Sequence, residues 1–220
     1  NPTGQAAVAQ AGQGNVARAG EAPEAPVALL PAPDLASVPE RIERLPIDLP
    51  LTPLAGAQAY RTQIAPDARF DVAVSDESAT AARIHARDVE DGSYVLRVRA
   101  VDARGLEGLS AQRVLVVRAR PEPPLLLEPA PDAVTTQARP LFRWTQGQPG
   151  MRYRLQLRAE GATEPLVDMT TDTAQAQPAV DLPPGVYQWR LASIDAAKGQ
   201  GPWGDPQNLR RVLPGPDMEP

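Results

Sequence analysis

From Tyr94 to Val101 the side chains alternate in kind. Tyr94, Leu96, Val98 and Ala100 take one parity; Val95, Arg97, Arg99 and Val101 take the other. The alternation returns with Tyr187, Trp189, Leu191 and Ser193 against Gln188, Arg190, Ala192 and Ile194, and in shorter form with Tyr60, Thr62 and Ile64 against Arg61 and Gln63. A period of two turns one parity toward a core and the other toward water, so these segments are predicted to be half-buried strands. Asp91-Gly92 and Leu182-Pro183-Pro184-Gly185 are turn signals just before the two longest of them. Glycine-bearing loops are predicted after them, over 102–108 and 195–204. Further strands are predicted near 45–52, 69–74, 81–87 and 111–118, and again near 139–145, 165–170, 178–182 and 207–213. No segment sustains a helical period. Short strands separated by regular turn signals predict an all-β chain built as β-sandwich.

The two halves carry one ladder of residues. Tyr60-Arg61-Thr62-Gln63-Ile64 returns as Tyr153-Arg154-Leu155-Gln156-Leu157, an offset of 93 positions. Gly92, Tyr94, Arg97 and Asp102 return at the same offset as Gly185, Tyr187, Arg190 and Asp195; Leu49 and Leu51 return as Phe142 and Trp144. Repetition at one offset identifies two copies of one small module. The expected organisation is a flexible segment, or the edge of an upstream β-domain, over 1–25; module 1 over 26–118; a proline-rich linker over 119–124; module 2 over 125–213; and a tail over 214–220. Arg120-Pro121-Glu122-Pro123-Pro124 is expected to be extended and stiff. With Leu51 in place of Trp144, module 1 is expected to have the lighter core.

Composition removes several classes of chemistry. The 220 residues include no cysteine, which excludes disulfides and thiolate metal sites, and one histidine, which argues against a multi-histidine metal site. A net charge of -5 gives a nucleic-acid role no global support. No run of apolar residues is long enough for a membrane span. The chain opens on Asn1 without a basic and apolar leader, and is expected to be a processed protein or a fragment of a longer one. Phosphate loop, nucleophile elbow and zinc patterns do not occur, so no catalytic, cofactor or metal residue is assigned.

Arginine is the conspicuous outward residue: Arg61, Arg97 and Arg99 in module 1, and Arg143, Arg154, Arg158 and Arg190 in module 2. Strand alternation predicts that they share one sheet face in each module. Such a face could bind an acidic glycan, a carboxylate-bearing peptide or an acidic partner. It could equally be a solvated face whose arginine stems cover apolar surface and whose heads meet Asp or Glu across strands. Trp203, expected in a loop after Gly201-Pro202, either stacks on a sugar or a partner or plugs the end of the sandwich. Trp144 and Trp189 take inward positions and are expected in the core. His85 is expected on the outward side of a short strand. The pairs Asp76-Glu77 and Glu90-Asp91 are expected at turns, hydrogen-bonded locally.

Gly92-Ser93-Tyr94-Val95-Leu96-Arg97-Val98-Arg99-Ala100-Val101-Asp102, followed by Gly105, Gly108 and Ser110, resembles the last two strands of a fibronectin type III domain. Leu182-Pro183-Pro184-Gly185-Val186-Tyr187 is similar, with the leucine-to-tyrosine corner spacing, and Trp144 sits where that family places its core tryptophan. The resemblance covers about 40–118 and 136–213 and implies two tandem immunoglobulin-like sandwiches. A narrower resemblance lies at 26–35, Pro-Val-Ala-Leu-Leu-Pro-Ala-Pro-Asp-Leu, followed by Tyr-Arg-Thr-Gln-Ile. It looks like the C-terminal half of bacterial envelope proteins with a FecR-type β-domain, often preceded by a LysM module. That resemblance implies a periplasmic or extracellular location, a non-catalytic role as spacer and interaction unit, and an envelope protein or peptidoglycan or other polysaccharide as partner. The chain is expected to be a monomer. Alternatives are a carbohydrate-binding module, or an accessory module of an envelope enzyme or sensor. The candidate binding set is Arg61, Arg97, Arg99, Arg154, Arg190 and Trp203.

Overall fold

The structure, a computed structural model, describes residues 6–19 and 21–214. The tail expected at 214–220 lies outside the described residues beyond Pro214. The chain divides into two compact units, 1–118 and 119–220. All regular structure in the described residues is extended.

Module 1 contains β1 (Gln13–Gly14), β2 (Val27–Ala28), β3 (Arg41–Ile42), β4 (Ile47–Pro50), β5 (Ala59–Ala65), β6 (Ser75–Ala79), β7 (Arg83–Ala86), β8 (Gly92–Val101) and β9 (Ala111–Val117). Its main sheet runs β3-β9-β8-β5-β6, and β4 pairs with β7 in a second sheet. Module 2 contains β10 (Leu126–Glu128), β11 (Ala133–Thr135), β12 (Phe142–Trp144), β13 (Arg152–Ala159), β14 (Val167–Thr171), β15 (Gln175–Ala176), β16 (Gly185–Asp195), β17 (Gly199–Trp203) and β18 (Gln207–Arg211). Its main sheet runs β11-β18-β16-β13-β14, and β10-β12-β15 form the facing sheet. The strand order is therefore the same twice. In each copy one short strand pairs in parallel with the last strand, β3 with β9 and β11 with β18, while the remaining pairs are antiparallel. This is the fibronectin type III-like arrangement of two sheets around one core.

Register carries the repeat into three dimensions. Gln63 stands opposite Arg97, and Gln156 opposite Arg190. Tyr60 accepts the Leu54 amide at 2.7 Å, and Tyr153 accepts the Gly147 amide at 2.6 Å. Tyr94 donates to the Glu90 carbonyl and Tyr187 to the Pro183 carbonyl, both four residues upstream. These phenols are the corner that the resemblance implied, and buried Val89 and Leu182 stand five residues before each of them.

The cores differ as the sequence predicts. Module 2 packs Phe142 edge-on to Trp189 at 4.8 Å and Trp144 edge-on to Tyr153 at 5.5 Å, with Leu155, Leu157, Leu182, Leu191 and Leu209 around them. Aromatic pairs of this geometry add about 0.5–1.5 kcal/mol beyond their area. In module 1 Tyr60 is kept at the place of Tyr153, and aliphatic residues fill the rest, among them Ile47, Leu51, Ile64, Ile84, Leu96 and Leu115.

Several expected boundaries move. The strand placed at 69–74 lies at Ser75–Ala79, because Phe70 takes a positive φ of 57° and turns the chain. The strand placed at 178–182 lies at Gln175–Ala176. The loop expected over 195–204 contains β17, which pairs with β16 through Ala192–Trp203, Ile194–Gln200 and Asp195–Gly199. Module 1 has only an isolated bridge at the matching place, Val101 with Glu107. The 1–25 segment is not simply loose: β1 pairs with β2, and Gly14 lies under Leu29 and Leu106 of module 1.

The proline-rich segment behaves as part of module 2. Ser193 Oγ donates to the Glu122 carbonyl at 2.7 Å. A Cβ on Gly201 would lie 1.9 Å from the Pro121 carbonyl oxygen, so only glycine admits this approach. The counterpart in module 1 is Gly108, where a Cβ would lie 2.6 Å from the Leu30 carbonyl oxygen, an oxygen that also accepts the Leu109 amide. Each module is thus sealed by its own lead-in segment against a glycine that follows its longest strand.

Candidate interaction face

The outward side of the main sheet is where the arginines meet. In module 1, alternation along β5 and β8 brings Arg61, Gln63, Arg97 and Arg99 to this side, with Arg61 opposite Arg99. Four like-charged or polar heads on adjacent strands need partners, and β6 and the turn after β8 supply them. Arg61 donates through Nε and Nη2 to the two oxygens of Asp76, at 2.8 and 2.6 Å, in the two-pronged geometry that suits a guanidinium. Its Nη1 donates to Glu107, which also accepts Arg99 Nη1 at 2.6 Å. Gln63 links the set: its Oε1 accepts Arg97 Nε and Nη2, and its Nε2 donates to Asp76. The Phe70 ring lies 3.9 Å from the Arg97 guanidinium carbon.

Module 2 repeats the lattice. Arg154 donates through Nε and Nη2 to Asp168 at 2.7 and 2.6 Å. Gln156 Oε1 accepts Arg190 Nε and Nη2 at 3.1 and 2.8 Å, and Gln156 Nε2 donates to Asp168. The aromatic cover is Trp203, 4.4 Å from Arg190 and 5.6 Å from Arg154. Cation–π contacts of this kind are worth about 0.5–2 kcal/mol each.

The charges respond accordingly. The hydrogen bonds from Arg61 and Arg154 hold Asp76 and Asp168 below the usual carboxylate range, and the two guanidinia are held more firmly protonated in return. Burial alone would raise Glu107, but the bonds from Arg61 and Arg99 outweigh it and leave that carboxyl lowered. Arg97 and Arg190 shift the other way. Burial is the main cause in both; neighbouring guanidinia add to it, Arg99 and Arg61 around Arg97, and Arg158 and Arg154 around Arg190.

The six members of the expected binding set therefore lie on the outward sides of the two main sheets, three in each module. Arg158 joins them, opposite Gln188. Arg143 does not: it stands on β12 in the facing sheet, 3.7 Å from Glu128. Trp203 is neither in a loop nor a plug for the end of the sandwich, since it lies on β17 over two arginines. Asp76 and Glu77 are on β6 rather than in a turn, and Asp76 is the carboxylate around which the module 1 lattice is built. His85 lies on β7, 3.8 Å from Glu77 and 3.9 Å from Asp48. Gln63, Gln156, Asp76 and Asp168 were missing from the expected set. The two glutamines were visible in the repeated ladder; Asp76 sits on a strand with almost no apolar signal, and Asp168 on the outward parity of the short strand β14.

Among the described residues, no group of three or more His, Asp or Glu side chains is arranged to hold a metal ion, and no helix is long and apolar enough to cross a membrane. No protein-family model matches the chain, and no curated protein matches it. Among solved structures, the crystal structure of chicken CNTN1 FN1-FN3 domains aligns over 89% of this chain and 75% of that chain, with 15% sequence identity and a TM-score of 0.34. The sandwich fold stands on this chain's own strand order and register.

Proposed function

We propose that this chain is a non-catalytic unit of the bacterial cell envelope, periplasmic or extracellular, that spaces and presents neighbouring domains and binds an envelope protein or peptidoglycan. The observation that carries the binding half of the reading is the lattice built twice. In each module a glutamine fixes one arginine, an aspartate fixes another, and an aromatic ring covers the glutamine-held one, so an ordered polar face is presented on the sheet. Recognition by such a face would depend on complementarity and not on chemistry. The envelope half rests on the resemblance at 26–35. A monomer fits the charged edge strands: β6 carries Asp76 and Glu77 and β14 carries Asp168, and charge on an edge opposes pairing with another chain.

Co-sedimentation with peptidoglycan sacculi tests the reading. Retention at physiological salt is the expected result. Retention at low salt alone would mean screened, nonspecific attraction. Absence of retention in both would reject peptidoglycan as the partner and leave a protein, sought by pull-down from periplasmic extract.

A further inference from the structure

We infer that module 2 carries a pocket for a single carboxylate-bearing sugar residue, at a place that module 1 keeps closed. The inference deepens the binding reading above and rests on it. The comparison is internal, because the register sets matching positions side by side. Arg158 stands opposite Gln188 in module 2, and Ala65 stands opposite Val95 in module 1. One pair further along, Gln156 and Arg190 match Gln63 and Arg97.

In module 1 this end of the face is shut. Gln63 is 8% exposed and Ala65 is 1% exposed, and Phe70 of the β5–β6 connection lies over Arg97. In module 2 it is open. Gln156 is half-buried and Arg158 exposed, and a cavity of about 260 Å³ is lined by Gln156, Arg158, Gln188, Arg190 and two prolines, with Thr163 of the β13–β14 connection at its wall. Apolar side chains and a ring have been exchanged for a guanidinium, an amide and a hydroxyl.

The charge pattern points to an anion. Module 1 closes its lattice with Glu107 and Arg99. At the same offset of 93, module 2 has Gln200 and Ala192, a loss of one carboxylate and one arginine that cancels in charge, while Arg158 in place of Ala65 adds a positive charge. Gln200 still accepts from Arg154, at 3.2 Å, but brings no charge. Asp168 is paired with Arg154, and the guanidinia of Arg154 and Arg158 both bear on Arg190. Arg190 is aimed by Gln156 through Nε and Nη2, which leaves Nη1 for a ligand. Among the described residues, the hydrogen-bond partner of Arg158 is Gln188 Oε1, at a marginal 3.5 Å. Two guanidinia short of a carboxylate make a site for one.

The neutral groups point to a sugar. The Gln188 amide nitrogen and the Thr163 hydroxyl, without hydrogen-bond partners among the described residues, line the cavity and can meet ring hydroxyls. The volume suits one ring, below the roughly 300–1,000 Å³ of sites that take larger ligands.

The test is a titration of the isotope-labelled full chain, followed by backbone amide resonances at constant ionic strength. The probes are D-glucuronate, D-glucose and N-acetylglutamate. Glucuronate is expected to move resonances at 156–158, 163 and 188–190, with the other two probes at least about tenfold weaker. Arg158→Ala and Gln188→Val, which install the module 1 residues, should each weaken glucuronate by about tenfold or more without disturbing the rest of the spectrum. Arg190→Ala is the harsher variant, since it also strips Gln156 and Trp203 of a partner.

Binding of glucose as tight as glucuronate would overturn the carboxylate. N-acetylglutamate as tight as glucuronate would overturn the sugar. Unaffected variants, or no shift at all, would overturn the pocket. Sacculus retention separates the two readings: retention that survives both variants, without glucuronate binding, removes the pocket and leaves the envelope role. Glucuronate binding without sacculus retention does the reverse.

Discussion

One oxygen of Gln156 accepts two hydrogen bonds from Arg190, at 3.1 and 2.8 Å, and so fixes the plane of a guanidinium that neighbouring charges oppose. The same atom pair recurs as Gln63 and Arg97 at 2.7 and 2.9 Å. Gln156→Leu leaves Arg190 without its acceptor and Asp168 without one donor. A loss of about 1–3 kcal/mol is expected, read as a lower urea midpoint of module 2. Gln63→Leu should cost at least as much, because Gln63 is the more buried of the two.

Acid should loosen both modules through the same lattice. Asp76 and Asp168 are lowered in the folded state, chiefly by their bonds from Arg61 and Arg154. A lowered carboxyl contributes stability that is present above its unfolded value, about 3.9, and is lost as pH falls through the folded one. Glu107 acts in the same direction. The urea midpoint is therefore expected to fall steadily from about pH 5 toward pH 2. Asp76→Asn and Asp168→Asn should flatten that slope; an unchanged slope would remove the lattice as its source.

The two tyrosine corners are unequal. Tyr187 is 3% exposed and reaches the Pro183 carbonyl at 2.6 Å, whereas Tyr94 is half-buried and reaches the Glu90 carbonyl at 3.1 Å. Tyr187→Phe is expected to cost about 1–1.5 kcal/mol in equilibrium unfolding and Tyr94→Phe less.

Trp144, Trp189 and Trp203 all belong to module 2. Tryptophan fluorescence therefore follows that module alone, while far-ultraviolet dichroism follows both. With Leu51 where module 2 has Trp144, module 1 should unfold first, by about 1 M urea, and the dichroism should begin to change before the fluorescence. Coincident curves would contradict the lighter core.

Gly201→Ala should push the 121–123 segment off module 2, because the added carbon would overlap the Pro121 carbonyl. A drop of several degrees in the melting of module 2 is expected, with faster proteolysis around 120–124.

The legible parts of this chain were those where one face is apolar and the other is not. β8 and β16 declare themselves by parity, and the offset of 93 then transfers each reading to its copy. Ser75–Ala79 does not, since Ser-Asp-Glu-Ser-Ala offers no apolar parity; an edge strand under a polar lattice is held by Asp76 and its backbone. Phe70 drew the predicted strand upstream, though its role is to cap Arg97. β17 reads as loop because Gly199, Gly201 and Pro202 are turn residues. The arginines were legible as a face, but their partners were not, because an Asp on the neighbouring strand leaves no mark on local pattern.

The seal between Pro121 and Gly201 means that the unit of duplication and the unit of folding have different borders. The proline run, which looks like connecting string, is the first course of masonry in module 2. Whoever transplants that module, whether a recombination event or a protein engineer, inherits a complete sandwich only by cutting ahead of Ala119.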